Sequence, residues 1–95
     1  MRVIGKSELH GLARTKDRDL REAALAFAAE LEAASWRAGD HVLAAYPRGQ
    51  LTGNCLIVNL DERHCVMVAL NFVMGIAVVE YAGLSTSAKR KSSNS

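Results

Sequence analysis

The apolar run from Cys65 to Val79 constrains the fold of this chain more than any other feature of the sequence. Within its fifteen residues, only Asn71 and Gly75 interrupt the apolar character. The run is shorter than the roughly 20 residues that a membrane-spanning helix needs. It is rich in valine, which favours strands, and Gly75 suits a tight turn. The run therefore predicts two strands, His64–Phe72 and Ile76–Ala82, joined by a hairpin.

A helical pattern precedes this run. Five apolar residues recur at three- and four-residue intervals and form one stripe: Leu20, Ala24, Phe27, Leu31 and Ala34. Asp17 is a good N-cap for this helix, and Gly39 suits its C-terminal end. Trp36 lies near that end, and we expect it to close the edge of the core.

The remaining segments complete a small α+β domain. They are a strand at Met1–Gly5, a helix at Glu8–Arg14 capped by Ser7, a short helix at His41–Tyr46 capped by Asp40, and a strand at Cys55–Leu60. The order strand, helix, helix, short helix and three-stranded meander predicts helices packed on one face of a mainly antiparallel sheet. This domain covers residues 1–84, and we expect the polar segment 85–95 to be a flexible tail.

Two cysteines are too few for a disulfide framework, and their spacing does not suit a metal site. A turn at Asp61-Glu62 would place Cys55 opposite Val68 and Cys65 opposite Val58, which does not bring the two thiols together. Free thiols are typical of a reducing compartment, so we expect a cytoplasmic protein. The net charge of +2 permits contact with nucleic acid but does not require it.

Several short sequence segments along the chain resemble those of a known protein family. The segments concerned are Met1–Lys6, Trp36 followed by Tyr46-Pro47, Val58-Asn59-Leu60, Leu70-Asn71-Phe72 and Gly75–Tyr81. In their order and spacing they resemble the HigB family of type II toxin–antitoxin toxins, within the RelE-like superfamily. The likeness covers about Met1–Gly83.

This resemblance implies a RelE-like fold and a ribosome-dependent endoribonuclease that cuts mRNA in the decoding site. It also implies a partner, a small helix-turn-helix antitoxin similar to HigA, which neutralises the toxin. Cleavage of this kind needs a base for the ribose 2′-hydroxyl, a cation for the phosphorane and an acid for the leaving oxygen. It needs no metal and no cofactor.

The chain departs from the family where the catalytic side chains belong. An expected arginine falls on Cys65, and two later basic positions fall on Ala69 and Glu80. The family's terminal Thr-His-x-x-Tyr-Asp motif falls on Leu84–Lys89, where the histidine and the tyrosine are both absent. These departures put the enzymatic activity itself in doubt.

Arg63 and His64 are the best remaining catalytic candidates, because histidine suits proton transfer near neutral pH and arginine can hold a phosphate. The alternative is a polar turn residue beside a surface histidine, since neighbouring strand residues point to opposite faces. Further contacts to RNA are expected from Arg48 in a turn and from the tail residues Lys89, Arg90 and Lys91.

The second face of the sheet carries little positive charge. Strand alternation places Cys65, Met67, Ala69 and Val78 there, and such an apolar face usually meets another protein. We therefore expect these four residues to bind a partner. This leaves two alternatives to a working toxin: a non-catalytic interaction module on the same fold, which would be a decayed toxin, and a small unrelated α+β binding domain.

Overall fold

The structure is a computed structural model and describes residues 1–86. Its elements, in chain order, are β1 (Arg2–Ile4), α1 (Lys6–Ala13), α2 (Arg18–Ala33), α3 (Gly39–Ala45), β2 (Gln50–Thr52), β3 (Cys55–Asn59), β4 (His64–Asn71) and β5 (Ile76–Leu84). Within the described part of the chain, three helices and one five-stranded sheet form an α+β domain, as predicted.

The strands lie in the order β1-β5-β4-β3-β2. Strands β3, β4 and β5 form the predicted antiparallel meander, while β1 runs parallel to β5 at one edge. Strand β2, at the other edge, was not predicted. Its three residues are too few to carry an alternating pattern, and they pair with β3 across a turn at Gly53-Asn54.

The predicted helical stripe is confirmed. Leu20, Ala24, Phe27 and Leu31 are buried, whereas Ala34 lies at the C-cap of α2 and is half-buried. The core beneath the helices consists of alternate residues of the strands: Leu56, Val66, Val68, Leu70, Ala77 and Val79. We call this side of the sheet the helix face and the opposite side the outer face.

An aromatic group closes one edge of this core, as expected for Trp36. The ring of Trp36 meets Tyr46 edge-on at 5.8 Å between centroids, and Tyr46 lies 5.5 Å from Phe27. The Tyr46 hydroxyl donates a hydrogen bond of 3.3 Å to Glu30. Burial and this carboxylate both raise the pKa of Tyr46, so the hydroxyl remains a donor.

The cap of α2 is as predicted, because the side chain of Asp17 accepts a hydrogen bond of 3.1 Å from the backbone of Leu20. The predicted cap of α1 is wrong. Helix α1 begins at Lys6, and its N-cap is Gly5 rather than Ser7. Gly5 has a φ of 82°, and a Cβ there would lie 2.6 Å from the carbonyl oxygen of Val79, so only glycine fits the close approach to β5.

The predicted end of α2 at Gly39 is also wrong. The helix ends at Ala33, and Gly39 opens α3 instead, with Ala38 as its N-cap and Asp40 in its first turn. The hydrogen bonds to backbone carbonyls that a glycine C-cap often provides come here from the α-ammonium group of Met1. It donates to the carbonyl oxygens of Leu31, Glu32 and Ala34 at the C-terminal end of α2, where a positive charge is favourable.

The β3–β4 turn differs by one residue from the prediction. Three residues, Asp61 to Arg63, separate Leu60 from His64, whose carbonyl accepts a 2.9 Å hydrogen bond from the Leu60 amide. Cys55 is therefore opposite Ala69 and Cys65 opposite Asn59, and both thiols are free. The extra residue places Leu56 on the helix face, because a one-residue slip exchanges the two faces of a strand.

A second irregularity lies between β4 and β5. Met67 pairs with Tyr81, but the next residue, Val68, pairs with Val79, so Glu80 is the extra residue of a bulge. The Cys65–Val79 run forms most of these two strands. Among residues 1–86, no helix is long and apolar enough to cross a membrane.

Candidate functional site

Asp61 organises the loop between β3 and β4. Its Oδ1 accepts hydrogen bonds from the backbone amides of Arg63, at 2.8 Å, and His64, at 2.7 Å. The same carboxylate reaches the ring of His64, with Nδ1 at 2.9 Å from Oδ1 and 3.2 Å from Oδ2. Aspartate is common in such turns because its short side chain bonds to amides two and three residues further on. One side chain thus shapes the loop and holds the histidine.

The electrostatics of this contact favour an ionised carboxylate. Burial by itself would raise the pKa of Asp61, but the hydrogen bonds from the backbone of Arg63 and from the ring and backbone of His64 outweigh it. The pKa of Asp61 is therefore held below its usual value. The side chain of His64 is 20% exposed, so it is largely packed yet still reachable.

The two predicted catalytic residues have different surroundings. His64 opens β4 and is held by Asp61, whereas Arg63 is an exposed loop residue. The backbone of Arg63 is fixed at both ends, because its carbonyl also accepts a 2.7 Å hydrogen bond from the amide of Ser85. The residue that the structure brings to His64 is Asp61, which the sequence pattern marked only as a turn. An aspartate three residues before a histidine, across a hairpin turn, is the signal that could have identified it.

Arg48 lies at the same end of the sheet. It lines a cleft of about 390 Å³ together with Gly49, Val58, Asn59, Asp61 and Glu62. Two of these lining side chains are carboxylates and one is a guanidinium, so the cleft is a poor place for a phosphate group. Any phosphate contact of Arg48 would have to come from its exposed side. The other predicted RNA-binding residues, Lys89, Arg90 and Lys91, lie outside the described residues.

The outer face of the sheet is largely apolar. Two adjoining rows cross it: Ile4, Val78, Ala69 and Cys55 form the first, and Tyr81, Met67 and Ile57 form the second. Ile4 is 45% exposed, and most of the other members are half-buried. The register also places one cation, Arg2, on this face beside Ile76. The face therefore offers apolar area and little charge for phosphate.

The four residues predicted to bind a partner are not equally available. Met67, Ala69 and Val78 are half-buried on the outer face, but Cys65 is only 2% exposed. The Tyr81 ring lies over Gly83, the neighbour of Cys65 in the sheet, and its hydroxyl donates a 2.7 Å hydrogen bond to the carbonyl of Leu84. Cys65 thus lies beneath the surface that a partner would contact.

Neither thiol is suited to be a nucleophile. Burial raises the pKa of Cys65 against the opposing effect of a hydrogen bond with Ser85. Burial and the Glu80 carboxylate raise the pKa of Cys55. Both therefore remain protonated near neutral pH, and the reactive form is the thiolate. Across residues 1–86, no group of three or more His, Cys, Asp or Glu side chains could hold a metal ion.

Fold and site together define a small α+β domain with a carboxylate-anchored histidine at one end of the sheet and an apolar outer face. No family model matches the chain, and no curated protein matches it either.

Proposed function

We propose that this chain is a HigB-like toxin of RelE-like fold: a cytoplasmic, ribosome-dependent mRNA endoribonuclease of low activity, neutralised by a helix-turn-helix antitoxin. The observation that most supports the proposal is His64, held by Asp61 at the start of β4. This strand begins in the segment where the resemblance places the family's basic, RNA-contacting residues. A histidine fixed in that segment, next to Cys65 where the family has an arginine, can supply proton transfer that the missing side chains no longer supply.

The order of elements also supports the proposal. The N-terminal strand, the short helix α1, the long helix α2, the short helix α3 and the meander occur in the same order as the segments that carry the resemblance. In the proposed site, His64 exchanges protons with the RNA, and the exposed guanidinium of Arg63 neutralises the phosphate beside it. Arg63 is the last residue of the β3–β4 loop and His64 the first of β4, and hydrogen bonds with Asp61 and Ser85 fix the backbone there.

Low activity follows from the charge distribution. RNA affinity comes largely from neutralising phosphates, and the outer face has little positive charge to do so. Apart from Arg2 on the outer face, the phosphate contacts proposed here come from Arg63, Arg48 and the tail residues Lys89, Arg90 and Lys91. On the ribosome the mRNA is already held in place, so a weak RNA-binding surface is compatible with slow cleavage there.

A growth assay tests this function. Induced expression of the chain in bacterial cells should slow growth, and His64→Gln should relieve the effect at equal protein level. His10→Gln is a matched control, since His10 is an exposed residue of α1 far along the chain from the loop. Equal growth of cells expressing wild type and His64→Gln would contradict the proposal.

A second candidate is a non-catalytic interaction module on the same fold. The specific observation in its favour is the pair of apolar rows on the outer face, of which Ile4 is nearly half exposed. A monomeric domain has little reason to expose such rows unless another protein covers them. This candidate predicts that any cellular effect is independent of His64 and depends on the outer face.

A further inference from the structure

We propose that Asp61 is a positioning residue that fixes the tautomer of His64, so that Nε2 carries the free lone pair and His64 acts as the base. The catalytic meaning of this inference rests on the proposed function. The tautomer itself does not, because it follows from the contacts of the free protein.

The argument begins with what each group can donate. An ionised carboxylate has only acceptor sites, and the hydrogen bonds that Asp61 receives keep its pKa low. Nδ1 of His64 lies within hydrogen-bond distance of both carboxylate oxygens. The proton of this contact must therefore be on Nδ1. A neutral imidazole has a single ring proton, so Nε2 is unprotonated.

The carboxylate is held where it is by the loop. Its Oδ1 is bound by two backbone amides, of Arg63 and His64, so it cannot rotate away without breaking both hydrogen bonds. Nothing among residues 1–86 forms a hydrogen bond with Nε2. The contact thus presents one defined nitrogen, with its lone pair available to a ligand.

This assigns the step that His64 performs. Nε2 takes the proton of a ribose 2′-hydroxyl, the 2′-oxygen forms a bond to the adjacent phosphorus, and the bond from phosphorus to the 5′-oxygen breaks. The leaving 5′-oxygen takes a proton from water, and His64 later returns its proton to solvent. The products are a 2′,3′-cyclic phosphate and a 5′-hydroxyl. Asp61 also stabilises the imidazolium that forms in this step, as a carboxylate on Nδ1 does in other histidine bases.

A second histidine provides an internal control. The backbone amide of Arg37 donates to Nδ1 of His41 at 3.2 Å. That nitrogen must be the acceptor, so His41 carries its proton on Nε2, the opposite of His64. One spectrum of the protein should therefore contain both tautomers.

The experiment is a two-bond ¹H–¹⁵N correlation of the histidine rings in the full ¹⁵N-labelled chain, recorded above the ordinary pKa of histidine. The His64→Gln and His41→Gln variants identify the signals. We expect a protonated Nδ1 in His64 and a protonated Nε2 in His41. In Asp61→Ala the proton of the His64 ring should move from Nδ1 to Nε2, because Nε2–H is the common form of an unconstrained histidine. The ¹⁵N chemical shifts of the two ring nitrogens should then be interchanged. A wild-type His64 that is protonated on Nε2 would overturn the inference.

Asp61→Asn separates positioning from loop structure. Its amide oxygen can still accept from the amides of Arg63 and His64, so the backbone signals of the loop should stay in place. The negative charge is lost, so the Nδ1–H population of His64 should fall. If neither Asp61 variant changes the tautomer, Asp61 does not position His64.

The two hypotheses fail separately. The ring spectrum requires no RNA, ribosome or activity. If His64 has the predicted tautomer but its loss leaves growth unchanged, then the endoribonuclease proposal fails and the positioning stands. If growth depends on His64 but the ring is protonated on Nε2, then the positioning by Asp61 is wrong.

Discussion

At the scale of single residues, the glycine before α1 shows how one backbone position fixes the join between helix and sheet. Gly5 combines a positive φ with a close approach to the backbone of Val79 in β5. A side chain at this position would be strained by the positive φ. Its Cβ would also clash with the carbonyl oxygen of Val79. Gly11, inside the same helix, has open space around its Cβ position.

These two glycines make a matched pair for a stability experiment. Gly5→Ala should destabilise the protein by about 2 kcal/mol or more, because a left-handed backbone and a fixed clash add together. Gly11→Ala should stabilise it by about 0.5–1 kcal/mol, because alanine loses less entropy than glycine in a helix. Urea denaturation of the wild type and the two variants measures both changes in the free energy of unfolding. A Gly5→Ala variant as stable as wild type would show that α1 does not meet β5 as described.

At the scale of elements, helix α2 contributes the largest side chain of the core. Phe27 is 2% exposed and packs against the ring of Tyr46, which in turn meets Trp36. Its truncation leaves a cavity that the sheet below cannot fill.

We expect Phe27→Ala to lower the free energy of unfolding by about 3–5 kcal/mol, a large share of what so small a domain has. Leu25→Ala is the control, because Leu25 lies on the same helix but is 49% exposed, and it should cost less than about 1 kcal/mol. Thermal melts of both variants decide the matter. Equal melting temperatures of Phe27→Ala and Leu25→Ala would mean that α2 does not bury the face we describe.

The helices and strands could be predicted from the sequence where the apolar pattern extends over many residues. The stripe on α2 and the apolar run of β4 and β5 each span enough residues to define a period, and both were correct. Strand β2 and the Gly5 cap could not be found this way, because three residues define no period and the reason for Gly5 lies more than seventy residues away in β5. The β3–β4 register was missed by one residue, since loop length depends on the Asp61 hydrogen bonds rather than on apolar pattern.

The same distinction applies to the candidate site. Sequence reasoning selected His64 from its chemistry, but the role of Asp61 depends on a loop geometry that no periodicity reveals. The burial of Cys65 was hidden as well, because alternation places it on the outer face, while the Tyr81 ring over the neighbouring Gly83 and the hydrogen bond with Ser85 depend on the tertiary structure. The tail residues Lys89, Arg90 and Lys91 remain predictions.

At the scale of the whole molecule, the outer face and the cations around it should have separate functions. Met67→Lys adds a charge in the middle of an apolar row, so it should weaken a protein contact while RNA binding stays the same or strengthens. Truncation after Ser87 removes three cations and should do the reverse, lowering the salt dependence of RNA affinity by up to about 2 in the log–log slope.

A pull-down and an RNA titration at two salt concentrations measure both effects on the two variants. The truncated chain serves as the control for Met67→Lys, because each variant is expected to lose what the other retains. Loss of RNA binding in Met67→Lys, with every protein contact intact, would identify the outer face as a nucleic-acid site and would contradict this division.

The most direct test of the central claim is cleavage of a defined mRNA by the purified full chain, with and without programmed ribosomes. The family resemblance and the sparse positive charge both predict that naked RNA stays intact. We expect slow cleavage on the ribosome that leaves new 5′ ends, retained in His10→Gln and lost in His64→Gln. Rapid cleavage of naked RNA, or no difference between wild type and His64→Gln on the ribosome, would contradict the account.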